Sequence, residues 1–571
     1  MIQNMQRSLR KNFKHATLNF LFILCFINVF QTIFGPENSI VGVIFTIMMS
    51  ASMVRDMTAR PVKHLLIQAL VLVMMGVSAC LVHTLDPWVA LPVNLATLFI
   101  ILYAFTYEYA THMYFPYILS YLFLVFISPV GPEGLPKRLA GLLTGAVCII
   151  LYQLFTGRNR AAETANGVLT DLMGQVQSSI ACLLTGEGAL AGRDDVRRNV
   201  CRLSRTVYDR RKTVLCVSDA SFSMIDAGRG LEHLVLLLHD LDPARAAEYA
   251  PLLRRVSEVL DGFAAYLRGD AAPLPPLEEA AFLLPGQDPM GQEFYRGLTY
   301  IRACLTHMAD PERRTRYHET ALSLSVRIQA AMDVSPVRVV YALRVSLLLA
   351  LFTLAVQLLA LPHGKWLLFT LASLSLPYAD DVGAKTKKRI LATILGGLVA
   401  VAFYGLIPSA PLRTAMMMFS GYLSFYFSDY TGTYACSTIG ALGGAVFAGA
   451  FGLGDVGGMF AVRLGYICVG AALAWLFNCV LLPFRRDRAT HLLLEKYAAT
   501  TDLLSRVCRS EDPDPQLYYN LVIQAHLQEG KLTANASAGG WEEGMSAILA
   551  QCRDKVRQAH RNNSASPILS W

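Results

Sequence analysis

Two groups of long apolar stretches alternate with two polar regions along the 571 residues of this chain. About twenty apolar residues cross a bilayer as a helix, and each group contains about six stretches that approach this length. The first group lies near 16–34, 40–54, 64–82, 88–107, 114–130 and 138–155, and the second lies near 337–361, 366–379, 390–407, 412–427, 435–451 and 460–482. This pattern predicts a polytopic membrane protein of the all-α class.

The polar regions have the periodicity of amphipathic helices. In 249–268, apolar side chains recur three and four residues apart and therefore fall on one helical face. The sequence becomes polar again after the twelfth stretch and keeps helical spacing. The predicted domains are a first membrane half at 1–156, a cytoplasmic helical domain at 157–335, a second membrane half at 336–484 and a cytoplasmic helical tail at 485–571.

Basic residues set the expected orientation, because loops rich in Lys and Arg stay in the cytoplasm. Such residues collect at 7–14, 55–63, 158–160 and 485–488, at alternate ends of the apolar stretches. Both termini and both polar regions are therefore expected in the cytoplasm. Lys137 and Arg138 disagree with this assignment, and Arg463, near the outer start of the last stretch, is expected to anchor it at the interface.

Composition supports a membrane protein and excludes several other classes. Hydrophobic residues make up 54% and charged residues 16% of the chain, against about a quarter charged in soluble domains. The net charge of +8 collects beside apolar stretches, so nucleic acid is not expected as a partner. The twelve cysteines have no metal-ligand spacing, and no cofactor or metal is expected. No G-x-S-x-G, H-E-x-x-H or Walker A pattern occurs, so neither an enzyme nor ATP drive is predicted.

Weak internal matches indicate a duplication of the membrane part. The segment 45–63 aligns with 369–387, and "YEYATHMY" near Glu108 aligns with "SDYTGTY" near Asp429. Each half contains an even number of stretches, so both halves have the same orientation and are related by an axis along the membrane normal. The sequence therefore predicts two parallel six-helix membrane repeats.

One loop of the second half has a pattern that resembles a known family. After the second stretch of that half the chain reads "PYADDVGAKTKKRILATILGG". We call residues 377–389 of this segment the motif loop. Its family-motif positions are Pro377, Asp380, Asp381, Gly383, Lys387 and Arg389. This pattern, with the order of apolar and polar regions, resembles the fusaric acid resistance and aromatic acid exporter family. The two aspartates depart from the pattern of that family.

The resemblance implies an exporter in the bacterial inner membrane. Such a protein moves aromatic carboxylates or related organic anions outward, driven by the proton gradient and often beside a periplasmic adaptor protein. The expected partners are therefore a small organic anion, the lipid bilayer, an adaptor and, in a homodimer, a second copy of the chain.

Transport of an organic anion needs a cation, an aromatic wall and, for proton drive, a titratable group. Arg344 lies about two helical turns inside the seventh stretch and is the candidate partner for a substrate carboxylate, with snorkelling to the interface as the alternative. Tyr426 and Tyr430 are candidates for contact with an aromatic substrate, although an interfacial aromatic belt also explains them. Asp429 and Glu108 are candidate proton-coupling groups, and solvated loop acids are the alternative.

Two other functions stay open at this point. A passive organic-anion channel would share the same architecture and need no proton coupling. A membrane-anchored interaction or envelope-stress protein would use the polar regions to recruit partners. An anchor needs one or two spans rather than a dozen, which favours the transporter.

Overall fold

In the computed structural model of the chain, helices are the regular secondary structure of the described residues, with no β-strand among them. These residues are 2–52, 61–109, 112–157, 160–210, 216–242, 246–270, 273–282, 289–317, 334–407, 409–427, 429–446, 453–510, 514–540 and 544–565. They form two compact units. The apolar unit contains the described residues up to 152 and those from 335 to 489, and the polar unit contains those at 153–334 and from 490 onward.

A helix overlaps each of the twelve apolar stretches. Those before the central polar region are α1 (Ile2–Phe34), α2 (Ser39–Ser52), α3 (Pro61–Thr84), α4 (Pro87–Phe105), α5 (Tyr114–Phe126) and α6 (Leu135–Gly157). The central polar region forms α7 (Arg160–Thr185), α8 (Arg193–Arg210), α9 (Asp219–Asp240), α10 (Ala246–Arg268), α11 (Pro289–Ala309) and α12 (Pro311–Thr315). The later apolar helices are α13 (Pro336–Leu358), α14 (Lys365–Leu374), α15 (Val382–Leu406), α16 (Ala410–Leu423), α17 (Tyr430–Val446) and α18 (Leu453–Trp475).

Seven of the described helices are long and apolar enough to cross a membrane, namely α1 from Ala16 onward, α3, α4, α6, α13, α15 and α18. The other five apolar helices are shorter, and two of them adjoin interrupted backbone. A non-helical segment at 106–109 and 112–113 precedes α5, and the chain leaves helical geometry after α14 at Ser375. The protein is thus an all-helical chain with several membrane-spanning candidates, while the parallel six-helix repeats stay a prediction. Asp56 of the aligned segment lies outside the described residues.

Local sequence signals explain where several apolar helices begin. The carboxylate of Asp86 accepts a hydrogen bond from the backbone N–H of Trp88 at 2.9 Å, and Pro87 opens α4. Ser335 caps α13 in the same manner through the N–H of Arg338. Each polar cap satisfies a backbone donor that the helix itself leaves unpaired.

Arg138, one of the two residues at odds with the expected orientation, is buried inside the apolar unit. Its guanidinium donates to the carbonyl oxygens of Glu37 (2.9 Å) and Ser128 (3.1 Å) and to the side chain of Asn38. These bonds join the start of α6 to two preceding loops. Because Arg138 is held by protein oxygens, its position depends on tertiary contacts rather than on contact with the cytoplasm.

The polar unit combines the central helices with the C-terminal ones. The latter are α19 (Arg486–Val507), α20 (Pro515–Gly539) and α21 (Met545–Ala565). Apolar faces of α7, α9, α10 and α11 form its main core, with Leu172, Leu231, Val256 and Phe294 all fully or nearly fully buried. The same spacing that predicted amphipathic helices therefore builds this core.

A buried ion network joins α8 to α20 and α21 inside the polar unit. Arg197 contacts Glu529 at 2.8 Å and Glu232 at 2.9 Å, and Arg553 donates to Glu529 at 2.6 Å. The side chains of Arg197 and Glu529 are only 3% and 1% exposed. The described residues from 490 onward, which form most of the predicted tail, thus share a compact unit with the central region.

Candidate functional site

One buried face of α15 organises the second half of the apolar unit. Arg389, Thr393, Gly396, Ala400 and Tyr404 recur three or four residues apart, and each is buried. This spacing places them along one side of the helix. The face begins with a charged residue of the motif loop and continues with small residues, so it combines a cation with close helix packing.

Two adjacent glycines allow neighbouring helices to approach α15. A Cβ atom at Gly396 would overlap the carbonyl oxygen of Ala435 in α17. A Cβ atom at Gly397 would overlap the ring of Phe460 in α18. Small residues at such contacts are typical of helix packing in membranes. The Gly-Gly pair therefore fixes the position of α15 against α17 and α18.

This packing places Arg389 against aromatic rings of α17. The guanidinium carbon of Arg389 lies 4.3 Å from the ring centroid of Tyr434. The rings of Tyr434 and Tyr430 are 4.1 Å apart, and Lys385 Nζ lies 5.5 Å from the centroid of Tyr430. Cations over aromatic faces are attracted by the ring quadrupole, most strongly where water is excluded.

Arg463 contributes a second buried guanidinium from α18. It is 5% exposed, and its guanidinium carbon lies 5.0 Å from the ring centroid of Trp366 in α14. Close packing at Gly470 against Thr370 holds α18 beside α14. The interpretation of Arg463 as an interfacial anchor stays a prediction.

We call these residues the arginine–aromatic cluster. Its members are Trp366, Lys385, Arg389, Tyr430, Tyr434 and Arg463. Among the described residues, no carboxylate lies within 4.0 Å of either buried arginine, and the Nε atoms of both lack a hydrogen-bond partner. A buried cation without a counter-charge is costly in an apolar setting. The cluster is therefore electrostatically suited to a small anion with an aromatic or apolar body.

Arg344 lies outside this cluster and is bound by backbone oxygens. It is fully buried, and its guanidinium donates to the carbonyls of Leu376, Pro377 (3.2 Å) and Leu482 (3.0 Å). The nearby Tyr341 hydroxyl donates to the carbonyl of Ser375 at 3.1 Å. These bonds satisfy carbonyls freed where α14 ends and where the chain leaves the last apolar helix. The geometry favours a structural tie at this position.

The motif loop is fastened to the segment that follows the last apolar helix. The backbone N–H of Arg486 donates to Asp380 at 2.7 Å, and its guanidinium contacts Asp381 at 2.6 Å. The N–H of Ala379 donates to the carbonyl of Phe484 at 3.0 Å. The acidic pair thus holds the loop to the end of the second half. Pro377 is buried next to these contacts, whereas Gly383 and Lys387 are exposed.

The remaining predicted site residues lie at different places in the apolar unit, although Asp429 directly precedes Tyr430 in the chain. Tyr430 belongs to the arginine–aromatic cluster, whereas the Tyr426 hydroxyl lies 2.6 Å from that of Tyr422. Asp429 is exposed and accepts a hydrogen bond from the N–H of Gly432 at 2.8 Å, as a cap of α17. Glu108 is 8% exposed and lies in the non-helical segment between α4 and α5.

Sequence reasoning named Arg389 and Tyr430 without joining them, and it missed Trp366 as a site residue. The available signal was the three- and four-residue spacing that runs from Arg389 to the Gly-Gly pair, which marks one buried helix face. The partners of that face lie in other helices, 35 or more positions away in the case of Tyr404 and Ile439, so spacing alone could not identify them.

Residues 349–477 match a family model described as fusaric acid resistance protein-like. This match confirms the resemblance suspected from the motif loop, and it spans the whole arginine–aromatic cluster while Arg344 precedes it. No curated protein and no solved structure matches the chain. The family match and the apolar helices together indicate a membrane transporter of the fusaric acid resistance type, and members of this family are transporters rather than enzymes.

Proposed function

We propose that this protein exports aromatic carboxylates or related organic anions across the bacterial inner membrane, with proton coupling, and that the arginine–aromatic cluster is its anion site. The observation that carries this proposal is the pair of buried arginines, Arg389 and Arg463, which face aromatic rings and have no carboxylate partner among the described residues. Both termini are proposed to lie in the cytoplasm, as the distribution of basic residues predicts.

The chemistry of the cluster fits an aromatic carboxylate. A guanidinium presents donors in a planar fork that matches a carboxylate, and hydrogen bonds between such charged groups are among the strongest in proteins. In this proposal the carboxylate binds Arg389 and Arg463 and offsets their positive charge. The aromatic ring of the substrate would pack on Tyr434 or Trp366. The proposed site thus uses these two arginines rather than Arg344, whose donors already bind carbonyl oxygens.

Proton coupling is assigned to Glu108 as part of the same proposal. This carboxyl is buried at a break between two apolar helices, where interrupted backbone in transporters often lies near coupling sites. Asp429 stays a second candidate, but its exposed position and its role as a helix cap support it less. Protonation of Glu108 on one side of the membrane and release on the other would couple anion export to the proton gradient.

The test uses inside-out membrane vesicles with an imposed pH gradient and labelled 4-hydroxybenzoate, with and without an uncoupler. We expect the wild-type protein to accumulate the label and the uncoupler to abolish accumulation. Arg389→Gln and Arg463→Gln should each weaken the apparent affinity about tenfold or more, because each removes a hydrogen bond to a charged group. Glu108→Gln should abolish accumulation while leaving anion exchange in place.

Arg338 provides a matched control. Its guanidinium carbon also lies over a tyrosine ring, 4.4 Å from the centroid of Tyr103, but it donates to the carbonyl of that residue at 2.8 Å. Arg338→Gln should therefore leave the affinity unchanged at equal membrane abundance. Normal affinity in both cluster variants would refute the site.

Two other outcomes would favour the alternative functions. Fast anion flux that the uncoupler leaves untouched would favour a passive channel. The absence of flux across a broad panel of organic anions would favour the membrane-anchored interaction protein.

A further inference from the structure

The polar unit contains a cleft that the transport proposal does not use. Its volume is about 970 Å³, and its walls come from α9, α11 and α21. Pockets for small molecules commonly measure about 300–1,000 Å³. The cleft is therefore large enough for a small organic molecule.

The charged side chains of the cleft favour an anion. Arg296 and Arg561 line it, and Glu293 is the carboxylate among its lining residues. Glu293 is already engaged, because Arg296 lies 3.2 Å and His233 lies 3.9 Å from its oxygens. The ionised side chains among these lining residues are thus two arginines and one carboxylate, and the arginines offer guanidinium donors to a carboxylate or phosphate group.

His560, which lines the cleft, contains a buried polar atom. Its side chain is 6% exposed, it lines the cleft, and its Nδ1 atom has no hydrogen-bond partner. Burial, together with the charge of Arg229, lowers the pKa of His560 well below its ordinary value, so the ring is neutral. A buried polar atom of this kind costs free energy unless a partner binds it.

The same histidine also forms part of an aromatic wall. The ring of Tyr300 meets that of His560 edge to face, with centroids 5.2 Å apart, and Tyr295 lines the cleft nearby. Aromatic surface beside a few polar groups is the usual composition of small-molecule sites. The wall would therefore contact the apolar body of a ligand whose charged group faces the arginines.

We propose that the cleft between α9, α11 and α21 binds a small organic anion with an aromatic or apolar body, through Arg296, Arg561 and His560. The site lies within the polar unit and is distinct from the arginine–aromatic cluster. It would give the polar unit a ligand-sensing role that does not depend on the transported substrate.

The test is isothermal titration calorimetry on the full-length protein in detergent, in an Arg389→Gln and Arg463→Gln background that weakens the membrane cluster. Benzoate is the probe, benzamide is its neutral counterpart, and inorganic phosphate is an anion without an apolar body. We expect benzoate to bind at least about tenfold more tightly than the other two, because only benzoate satisfies both the charges and the aromatic wall.

Variants of the cleft give the decisive comparison. Arg296→Gln combined with Arg561→Gln should weaken benzoate binding by about tenfold or more, whereas Arg255→Gln should have no effect. Arg255 is a matched control, because it forms an i,i+3 pair with Glu258 at 3.1 Å, as Arg296 does with Glu293, and lies outside the cleft.

A second variant tests the histidine. His560→Phe keeps an aromatic ring but removes Nδ1, and it should weaken binding while the thermal unfolding temperature stays within a few degrees of the background. Equal binding of benzoate and benzamide would overturn the proposal. So would unchanged affinity in the double arginine variant, an equal loss in Arg255→Gln, or no benzoate binding in the background protein.

Discussion

Replacing Glu529 by glutamine would remove the charge on which the buried network of the polar unit converges. The carboxylate of Glu529 accepts hydrogen bonds from Arg197 at 2.8 and 2.9 Å, from Arg553 at 2.6 Å and from Tyr497 at 3.2 Å. Glutamine has nearly the same volume, so the substitution tests charge rather than packing. In this variant Arg197 and Arg553 lose the negative charge that both of them contact.

The expected cost follows from the burial of the partners. Loss of one member of a buried ion pair typically costs about 3–5 kcal/mol. Arg197 keeps Glu232 at 2.9 Å, and glutamine keeps one oxygen acceptor, so we expect the lower end, about 3 kcal/mol. The ion pair between Arg553 and Asp194 serves as an exposed comparison. Its atoms are 2.8 Å apart, but the Asp194 side chain is 78% exposed. Asp194→Asn should cost no more than about 1 kcal/mol.

The assay is thiol alkylation of the full-length protein in lipid nanodiscs, resolved by peptide mass spectrometry. Cys201 and Cys552 are buried in the polar unit, so their alkylation requires opening of that unit. A loss of about 3 kcal/mol corresponds to a rate increase of roughly 100-fold. Asp194→Asn should increase the rate by less than about fivefold.

A cysteine of the apolar unit serves as the internal control. Cys436 is buried in α17, and its alkylation rate should be the same in the wild type and in both variants. An unchanged rate at Cys552 in Glu529→Gln would refute the reasoning. An equal rate increase in Asp194→Asn would refute it as well, since burial would then have no bearing on the cost.

Three further outcomes are expected from other parts of the molecule. Gly396→Ala should lower the thermal unfolding temperature of the detergent-solubilised protein, because the added Cβ atom would meet the carbonyl of Ala435. Gly383→Ala should leave that temperature unchanged, because a Cβ atom at residue 383 would meet nothing within 4 Å. Burial opposes ionisation of Glu529, but Arg197 and Arg553 outweigh it and hold the pKa of Glu529 below its ordinary value. The contribution of this carboxylate to stability is present above about pH 4.3 and is lost as the pH falls through the lowered pKa. Alkylation of Cys552, measured with an acid-tolerant reagent, should therefore accelerate below the lowered pKa of Glu529. Tyr434→Leu should weaken 4-hydroxybenzoate transport more than Tyr434→Phe, which keeps the ring, and equal effects of the two would remove the ring from the proposed site.

Hydropathy located the apolar helices well but misjudged the length of some. The segments around α5 and α14 remain apolar where the helices stop, so a window of mean hydropathy could not detect the interruption. Pro377 and the two acidic residues after it were the local sign of a break. The buried bonds from Arg344 to carbonyls at this break depend on tertiary contacts and cannot be derived from spacing.

Charged residues were the hardest to interpret from sequence. On an amphipathic helix, a surface charge and a buried partner such as Arg197 look alike, because only the folded arrangement shows what faces them. The same holds for Arg463, whose position near the outer start of a stretch suggested the interface. By contrast, the Gly-Gly pair was visible in the sequence, since small residues at helix contacts have a direct steric reason.

The network around Glu529 also has a consequence for biosynthesis. Arg197 leaves the ribosome long before Glu529, which follows 332 residues later and after all the later apolar helices. Since domains generally fold from the N-terminus during synthesis, Arg197 in the central helices stays incompletely paired until Glu529 has been synthesised. A chain that stops before Glu529 would expose this unpaired surface, so the polar unit can be completed only after all the later apolar helices have been synthesised.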